Sequence, residues 1–487
     1  MIHQLHPITA LATAPGIGAI AVIRVSGEGA IDLTDKAFRG KKLADQASHT
    51  AHFGTFRHAN RGDELGSVID EVLVTVFRSP HSFTKEDVVE ISCHGSEYIV
   101  RQILTRLTDL GARLAKPGEF TQRAFLNGQF DLVQAEAVAD VIAADSAASH
   151  RAALSQLRGG FSKQLTELRQ QLIDFVALVE LELDFGEEDV EFAKRDQLRG
   201  LMQKIRGVIR PLIESFAAGN VIKNGVPTVI IGKPNAGKST LLNALLNEEK
   251  AIVSPIPGTT RDVIEDELFI DGVRFRLIDT AGLRHTTDTL EAIGVARTRQ
   301  QIEKAALVVY LFDGQTTTPD ELREMVAELD ESGKPYILVG NKVDLLPSPT
   351  PPPGQPFSRT AADAGYTDAI TEAGGQPDGI RVAPPILWIS AKNAQIDELK
   401  TTLSARARTN AGVQTGSAVV TNARHLQHLA ATDDALARAV AAVDAGTSAD
   451  WIAMDLRIAL RELGELTGEV TTDDLLASIF SRFCIGK

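Results

Sequence analysis

The segment Gly232-Lys-Pro-Asn-Ala-Gly-Lys-Ser239 has the residue types and the spacing that bind phosphate groups. It follows the apolar run Thr228–Ile231, which predicts a strand, and it precedes an apolar helical segment from Thr240. Its glycines let backbone N–H groups surround phosphate oxygens, and the helix N-terminus adds positive potential. Lys238 then reaches the outer phosphates, and the Ser239 hydroxyl can ligate Mg²⁺. The segment therefore predicts a nucleoside-triphosphate site.

A second segment, Asn341-Lys-Val-Asp344, indicates which base is bound. The Asp344 carboxylate can accept hydrogen bonds from both donors on the Watson–Crick edge of guanine, whereas adenine would leave a buried acceptor without a partner. Ser390-Ala-Lys392 follows the next apolar run and completes the base site in this interpretation. The nucleotide is therefore predicted to be GTP.

Two segments between these loops are typical of the switch regions of GTPases. Asp279-Thr-Ala-Gly282 ends an apolar run, so its aspartate can reach Mg²⁺ through water and its glycine N–H can contact the γ-phosphate. Gly258-Thr-Thr-Arg-Asp262 offers Thr260 as a second Mg²⁺ ligand. Leu283 stands where Ras-like GTPases have the glutamine that orients water, so hydrolysis must be organised differently here.

The apolar pattern around these loops predicts an α/β domain with parallel strands. Strand-like runs at Thr228–Ile231, Leu307–Phe312, Tyr336–Val339 and Ile386–Ile389 alternate with helical segments. Asp271-Gly272, between two further apolar runs, predicts a β-hairpin. The parallel strands would carry the nucleotide loops at their carboxyl ends.

The flanking sequence predicts two other kinds of structure. Residues 1–118 contain short strand-like runs and predict an α+β domain; these runs are Ala19–Val25, Glu71–Phe77 and Val88–Ser92. From Thr121 to about Ala217 the composition favours long helices, with an apolar stripe at Leu165, Leu168, Leu172, Phe175 and Val179. Helical periodicity returns after about Val413. The helical parts form either one interrupted domain or two consecutive domains.

Length and composition narrow the class of protein. A chain of 487 residues predicts about three domains. The net charge of −14 disfavours non-specific binding to DNA or RNA, so any nucleic-acid contact needs a local basic surface. The two cysteines, Cys93 and Cys484, have no disulfide or zinc spacing, and no signal peptide or transmembrane segment is predicted. A cytoplasmic protein without a membrane role is expected.

The sequence resembles the MnmE (TrmE) family of tRNA-modification GTPases over nearly its whole length. The segments that carry the resemblance are Ile8–Gly18, Phe83–Glu90, Lys116–Asn127, Gly468–Asp474 and Phe483–Lys487. It implies a multidomain α/β and all-α fold. The implied domains are an N-terminal α+β folate-binding and dimerisation domain (1–118), a discontinuous helical domain (119–217 and 409–487) and an inserted Ras-like P-loop G domain (218–408). The segment 348–385, rich in Pro, Gly, Thr and Ala, would be an insertion within the G domain.

The resemblance also implies an activity. With the FAD protein MnmG (GidA), in a heterotetramer built on a homodimer, the family adds an aminomethyl or carboxymethylaminomethyl group to the wobble uridine of certain tRNAs. The carbon comes from 5-formyl- or 5,10-methylene-tetrahydrofolate, and GTP hydrolysis stimulated by K⁺ is required. FAD would enter only through the partner protein.

Site residues follow from the same matching. The GTP-binding residues would be Asn235, Ala236, Gly237, Lys238, Ser239, Thr240, Ser254, Pro255, Ile256, Pro257, Gly258, Thr259, Thr260, Asp279, Thr280, Ala281, Gly282, Asn341, Lys342, Val343, Asp344, Ser390, Ala391 and Lys392. Mg²⁺ would be held by Ser239 and Thr260, and K⁺ by Asn235, Ser254, Ile256 and Thr259. A K⁺ ion there would take the place of an arginine finger.

Glu291 matches the carboxylate that helps to orient the attacking water, although from its surroundings alone it is a polar helix residue. Arg24 and Glu90 match folate ligands, and Gln129 stands where the family has a lysine, so it can hydrogen-bond but supplies no charge. Cys484, in the tail that ends at Lys487, is a candidate for assisting the modification, while a single cysteine is more often a packed apolar residue.

Two other functions compete with this hypothesis. A regulatory switch GTPase of ribosome assembly would bind RNA without modifying it, but it would leave the N-terminal segments without a purpose. A GTPase acting at membrane surfaces is disfavoured because no basic amphipathic helix or lipidation motif occurs.

Overall fold

The computed structural model describes residues 6–59, 66–184, 195–249, 266–278, 299–345, 386–411, 419–481 and 483–486. Contacts divide the chain into two compact units. Unit 1 comprises residues 1–144, 153–213 and 423–487, and unit 2 comprises residues 145–152 and 214–422. The residues that follow the central α/β segment therefore belong to the same unit as the N-terminal residues.

The strands, in chain order, are β1 Ile8–Leu11, β2 Ile20–Ser26, β3 Phe38–Arg39, β4 Thr50–Arg57, β5 Val68–Phe77, β6 Val88–His94, β7 Arg113–Leu114, β8 Val226–Ile231, β9 Asp266–Ile270, β10 Val273–Leu277, β11 Leu307–Asp313, β12 Tyr336–Asn341 and β13 Ile386–Trp388. The helices are α1 Ala30–Asp35, α2 Glu97–Asp109, α3 Glu119–Leu126, α4 Leu132–Ala143, α5 Ala147–Leu157, α6 Ser162–Asp184, α7 Arg195–Glu214, α8 Phe216–Asn224, α9 Lys238–Glu249, α10 Pro319–Glu331, α11 Asp397–Ala411, α12 Ala423–Asp444, α13 Ala449–Thr467 and α14 Asp473–Phe480. Among the described residues, none of the helices has both the length and the apolar character needed to cross a membrane.

Unit 1 contains a mixed sheet with the strand order β3-β4-β5-β6-β2-β1-β7. In β5, Val72, Val74 and Val76 are buried while Glu71 and Leu73 are exposed, which is the alternation expected of a strand with one covered face. The three N-terminal strand runs predicted from the sequence are confirmed. Arg24 on β2 lies directly opposite Glu90 on β6, because these strands are antiparallel in that register.

The helices of unit 1 are long, as predicted. In α6 the buried stripe consists of Leu165, Leu168, Leu172, Val176 and Val179. The predicted apolar stripe included Phe175, whereas the structure buries Val176 and leaves Phe175 half-buried. The reason is geometric: at 3.6 residues per turn, a residue four positions after Leu172 lies closer to its face than a residue three positions after it.

A buried ion cluster joins α4 to α12. The Glu136 carboxylate accepts hydrogen bonds from Arg424 Nε and Nη2 at 3.0 and 2.8 Å, and its Oε2 lies 2.5 Å from His425 Nε2. Arg424 also donates to the backbone carbonyls of Glu465 and Leu466. The cluster therefore connects residues from both ends of the chain within one unit.

This cluster makes the stability of unit 1 depend on pH. Burial alone would raise the pKa of Glu136, but the hydrogen bonds and charges of His425 and Arg424 lower it from 4.5 to about 2. Because the pKa in the folded state is depressed, the stabilisation is complete above about pH 4.5 and is lost as the pH falls towards 2. We expect Glu136→Gln to lower the free energy of unfolding by roughly 3 kcal/mol at pH 7 and to weaken its decline in acid.

Urea unfolding followed by circular dichroism at pH 7 and at pH 3.5 would measure both effects. Glu180→Gln is the matched control, because Glu180 pairs with Arg457 on the surface and should contribute less than about 1 kcal/mol. Equal losses in the two variants would contradict a special contribution of Glu136.

Unit 2 is built on a sheet with the strand order β13-β12-β11-β8-β10-β9. Neighbouring strands are parallel except β9 and β10. The turn between these two strands has positive φ values at Asp271 (49°) and Gly272 (76°), so the predicted hairpin is confirmed. All residues of β11 from Leu307 to Phe312 are buried, as expected for a central parallel strand. The carboxyl ends of β8, β11, β12 and β13 meet at one edge of the sheet.

Candidate nucleotide-binding site

The loop that joins β8 to α9 passes close to Leu311 of β11 and Asn341 of β12. Gly232 has a φ of 153°, and a Cβ there would lie 2.0 Å from the Leu311 carbonyl oxygen. Gly237 has a φ of 99°, and a Cβ there would lie 2.2 Å from Asn341 Nδ2. Asn235 occupies the left-handed region with a φ of 61°. At both glycines of the phosphate motif, the positive φ and the lack of space for a Cβ atom exclude any other residue.

Lys238 begins α9, two residues before the helix start expected from the sequence. Its Nζ donates to the carbonyl oxygens of Gly232 (2.7 Å) and Lys233 (2.8 Å), and burial lowers its pKa. Ser239 and Thr240 occupy the same first turn. A half-buried ammonium group and the N-terminus of a helix therefore lie together beside the loop, which is an arrangement that attracts an anion.

Asn341 connects the phosphate loop to the loop that follows β13. Its Nδ2 donates to the Ala236 carbonyl at 2.8 Å, and its Oδ1 accepts from the Ala391 N–H at 3.0 Å. The side chain is almost fully buried. The sequence placed Asn341 among the nucleotide-binding residues, but it gave no sign that the amide joins two loops, because the partners lie far apart along the chain.

Asp344 and Ser390 are adjacent at the same edge of the sheet. Ser390 Oγ donates to Asp344 Oδ1 at 2.7 Å, which orients the carboxylate. Val343 is buried beneath the turn, while Lys392 is exposed. The predicted base-reading residues are therefore brought together, with one carboxylate oxygen fixed by a hydroxyl group.

Asp313, at the end of β11, is a site residue that the sequence analysis missed. Its Oδ2 accepts from Lys342 Nζ at 2.7 Å, and Lys342 itself has a φ of 65°. Burial would raise the pKa of Asp313, but the hydrogen bond and charge of Lys342, together with hydrogen bonds from Gln315 and Thr316, lower it. A carboxylate directly after a buried parallel strand was the available signal.

Several predicted site residues lie outside the described part of the chain. These are Ser254, Pro255, Ile256, Pro257, Gly258, Thr259, Thr260, Asp279, Thr280, Ala281, Gly282, Glu291 and Lys487, together with Leu283 and the segment 348–385.

A separate group of predicted residues lies in unit 1. Arg24 Nε and Nη2 both donate to Glu90 Oε1, at 3.0 and 2.8 Å, and the guanidinium carbon lies 5.5 Å from the centroid of the Phe83 ring and 5.6 Å from that of Phe120. Arg24 Nη1 also donates to the Gly486 carbonyl at 3.4 Å. The ion pair thus contacts the C-terminal tail.

The other two residues of this group are placed differently. Gln129 is exposed beyond the end of α3, and its backbone N–H donates to Ala124. Cys484 is exposed in the tail, and its carbonyl accepts from the Gly118 N–H. Cys93, by contrast, is buried, and this burial with the nearby Asp70 raises its pKa to about 11, so Cys484 is the more reactive thiol position by exposure.

Two protein families match the sequence. The family described as GTP-binding protein TrmE N-terminus matches residues 7–129, and the MnmE helical domain matches residues 132–484. Among solved structures, the FeoB G domain from Methanococcus jannaschii aligns at 23% identity and a TM-score of 0.24. The alignment covers 38% of this chain and 97% of the FeoB chain.

Relatives named tRNA modification GTPase MnmE match along the whole sequence. The protein of Cytophaga hutchinsonii is 54% identical, covering 100% of this chain and 98% of that protein. The protein of Flavobacterium johnsoniae is 46% identical with full coverage of both chains, and that of Bacteroides fragilis is 48% identical with 99% coverage of each. Because family matches at both ends and full-length relatives agree, the chain belongs to the MnmE family of tRNA modification GTPases.

Proposed function

We propose that the chain binds and hydrolyses GTP at the edge formed by the loops after β8, β12 and β13. The observation that carries this proposal is the Asn341 amide, which bonds the phosphate loop through Ala236 and the base loop through Ala391. Since one buried side chain fixes the distance between the two loops, a phosphate and a guanine base can be held by a single preorganised site. Asp344, oriented by Ser390, supplies the acceptor for guanine.

We further propose that hydrolysis serves modification of tRNA in the cytoplasm. A homodimer acting with an MnmG-type FAD protein would add an aminomethyl or carboxymethylaminomethyl group to the wobble uridine. Full-length relatives that carry the name tRNA modification GTPase support this proposal. The proposed domains are residues 1–118, the helical parts 119–217 and 409–487, and the G domain 218–408.

The Arg24–Glu90 pair suits the polar edge of a reduced folate. Both arginine bonds end on Glu90 Oε1, so Oε2 can accept from pterin N–H groups. Phe83, half-buried beside the guanidinium, supplies apolar surface for a ring, and the buried Phe120 ring packs against the same guanidinium. In the proposed site Arg24 and Glu90 bind and orient the folate, which supplies the transferred carbon, while Gln129 offers only neutral hydrogen bonds.

Metal ions are expected at the phosphate end of the nucleotide site. Ser239, at the first turn of α9, and Thr260 would hold Mg²⁺. Asn235 lies exposed on the loop with its backbone in the left-handed region, and its amide oxygen is a donor of the kind that K⁺ accepts. We propose Ser254, Ile256 and Thr259 as the other K⁺ ligands and Glu291 as the residue that orients water. The cation would supply the positive charge that an arginine finger supplies elsewhere.

Replacement of K⁺ by Na⁺ at constant ionic strength is expected to lower GTP turnover at least about tenfold, since ligands spaced for K⁺ would not hold the smaller Na⁺ and no cation would then stabilise the charge at the transferring phosphate. Initial rates of phosphate release in the two salts would measure the effect. Asn235→Ala should make the rates in K⁺ and Na⁺ similar, whereas Asn393→Ala, on the loop after β13, should retain the difference. Equal rates in both salts for the unaltered chain would rule out the K⁺ mechanism while leaving GTP hydrolysis intact.

Nucleoside analysis of tRNA tests the modification. Deletion of the gene should remove the modified wobble uridine, and expression of the chain should restore it. Glu90→Gln should fail to restore it while retaining GTP turnover in vitro. An unchanged nucleoside profile in the deletion strain would contradict the proposal and favour a switch GTPase of ribosome assembly.

A further inference from the structure

A histidine and two glutamates converge where α12 packs against α13 in unit 1. His428 Nδ1 lies 2.9 Å from Glu462 Oε2 and 3.9 Å from Glu465 Oε2, and the three atoms all lie within 4.8 Å of one another. Four-coordinate Zn²⁺ with ligand bonds of 2.0–2.2 Å places its ligand atoms about 3.4 Å apart. The three atoms would thus need to move by only about 1 Å to bind one ion.

From this geometry we propose that His428, Glu462 and Glu465 bind a divalent transition-metal ion of the Zn²⁺ type. One imidazole nitrogen and two carboxylate oxygens form a donor set that suits Zn²⁺, and the imidazole disfavours Mg²⁺, which prefers oxygen ligands. Three protein ligands leave a fourth position for water or another molecule. Glu465 is the most accessible of the three, with a side chain 32% exposed, so the fourth position faces solvent on its side.

Arg461 is placed as an outer partner of the same carboxylates. Its Nη2 lies 3.0 Å from Glu462 Oε1, and its Nε lies 3.7 Å from Glu465 Oε1. Both contacts use the oxygen that faces away from His428. The guanidinium therefore hydrogen-bonds the Glu462 carboxylate, as outer partners do at metal sites, and it lies at ion-pair distance from Glu465, so that neither contact uses an Oε2 atom.

The backbone around the site is held in place. His428 is buried, and its carbonyl accepts from Thr432 Oγ1 at 2.7 Å. The carbonyl of Glu465 accepts from Arg424 Nη1, and Arg424 is itself held by Glu136. Rigid helices position ligands well, so a bound ion would hold α12 against α13 at little cost in ordering.

The competing interpretation is an ion pair between protonated His428 and the glutamates without a metal. A measurement of metal binding distinguishes these two interpretations. The metal-stripped full-length chain would be titrated with Zn²⁺ in millimolar Mg²⁺ by calorimetry. We expect one Zn²⁺ per chain with micromolar or tighter affinity, and a rise in the melting temperature. His428→Ala and Glu465→Gln should each weaken binding at least about 100-fold.

Controls separate this site from adventitious ligands. His150→Ala removes an exposed histidine elsewhere, and Cys484→Ser removes the exposed thiol; both should bind Zn²⁺ as the unaltered chain does. Co²⁺ in place of Zn²⁺ should give the visible absorption of a four-coordinate site, and Glu465→Gln, checked for folding by circular dichroism, should abolish it. Failure to bind micromolar Zn²⁺, or binding unaffected by His428→Ala and Glu465→Gln, would overturn the proposal. GTP hydrolysis is not involved in any of these readouts.

Discussion

Asp344→Asn is expected to change the preferred substrate from GTP to xanthosine triphosphate. The Asp344 carboxylate offers two acceptors, which match the N1–H and 2-amino donors of guanine. An asparagine offers one acceptor and one donor, which match N1–H and the 2-oxo group of xanthine. Ser390 Oγ can bond to the amide as it does to the carboxylate at 2.7 Å, so the side chain should keep its orientation. We expect kcat/KM for GTP to fall roughly 10⁴-fold because buried donors of guanine lose their partner.

Initial rates with both nucleotides would measure the change in preference. Asp397→Asn is the matched control, since Asp397 is an exposed acid in the first turn of α11 in the same unit. It should retain the preference for GTP. A loss of activity with both nucleotides in Asp344→Asn would indicate that the residue supports the loop without reading the base.

Local sequence signals predicted the strands that the structure describes in unit 2. The run Leu307–Phe312 was apolar throughout because β11 is covered on both faces, and Asp271-Gly272 specified a turn that needs positive φ at both positions. The phosphate motif required its glycines for close approaches that the structure shows at Leu311 and Asn341. The strand, the turn and the glycine motif are each written in a few consecutive residues, so a pattern can reveal them, although the groups that approach the two glycines come from distant strands.

Pairings between distant residues were not predictable in the same way. The Lys342–Asp313 bond joins residues 29 positions apart, and Glu136 and His425 are separated by 289 positions. No periodicity connects such residues, since their contact depends on strand order and helix packing. Family resemblance alone singled out Arg24 and Glu90 as folate ligands, and the physical cause of their pairing is the antiparallel register of β2 and β6. Sequence reasoning thus identified the loops of the nucleotide site but not the bonds that fix their relative positions.

Lys238→Met is expected to reduce GTP turnover roughly 10³-fold without destabilising the fold. Lys238 Nζ donates hydrogen bonds to the carbonyls of Gly232 and Lys233, so its charge lies within the phosphate loop. A small movement of the ammonium group would let it donate to phosphate oxygens instead. Methionine keeps an unbranched, flexible stem and removes the charge together with the N–H donors to Gly232 and Lys233. Since burial disfavours that charge, as the lowered pKa of Lys238 indicates, its removal should leave the melting temperature equal or higher.

Single-turnover hydrolysis and thermal unfolding of the same Lys238→Met preparation test both parts of this prediction. Lys334→Met is the matched control, because Lys334 bonds to the Glu303 carbonyl at the surface of the same unit and should leave turnover within about threefold. Turnover within tenfold of the unaltered chain would place Lys238 away from the transferred phosphate. A large fall in melting temperature would instead show that its bonds to Gly232 and Lys233 stabilise the loop, and the loss of turnover would then reflect a distorted site. Turnover should fall without a fall in melting temperature because the half-buried ammonium disfavours folding slightly and contributes to hydrolysis only when a phosphate accepts its hydrogen bonds.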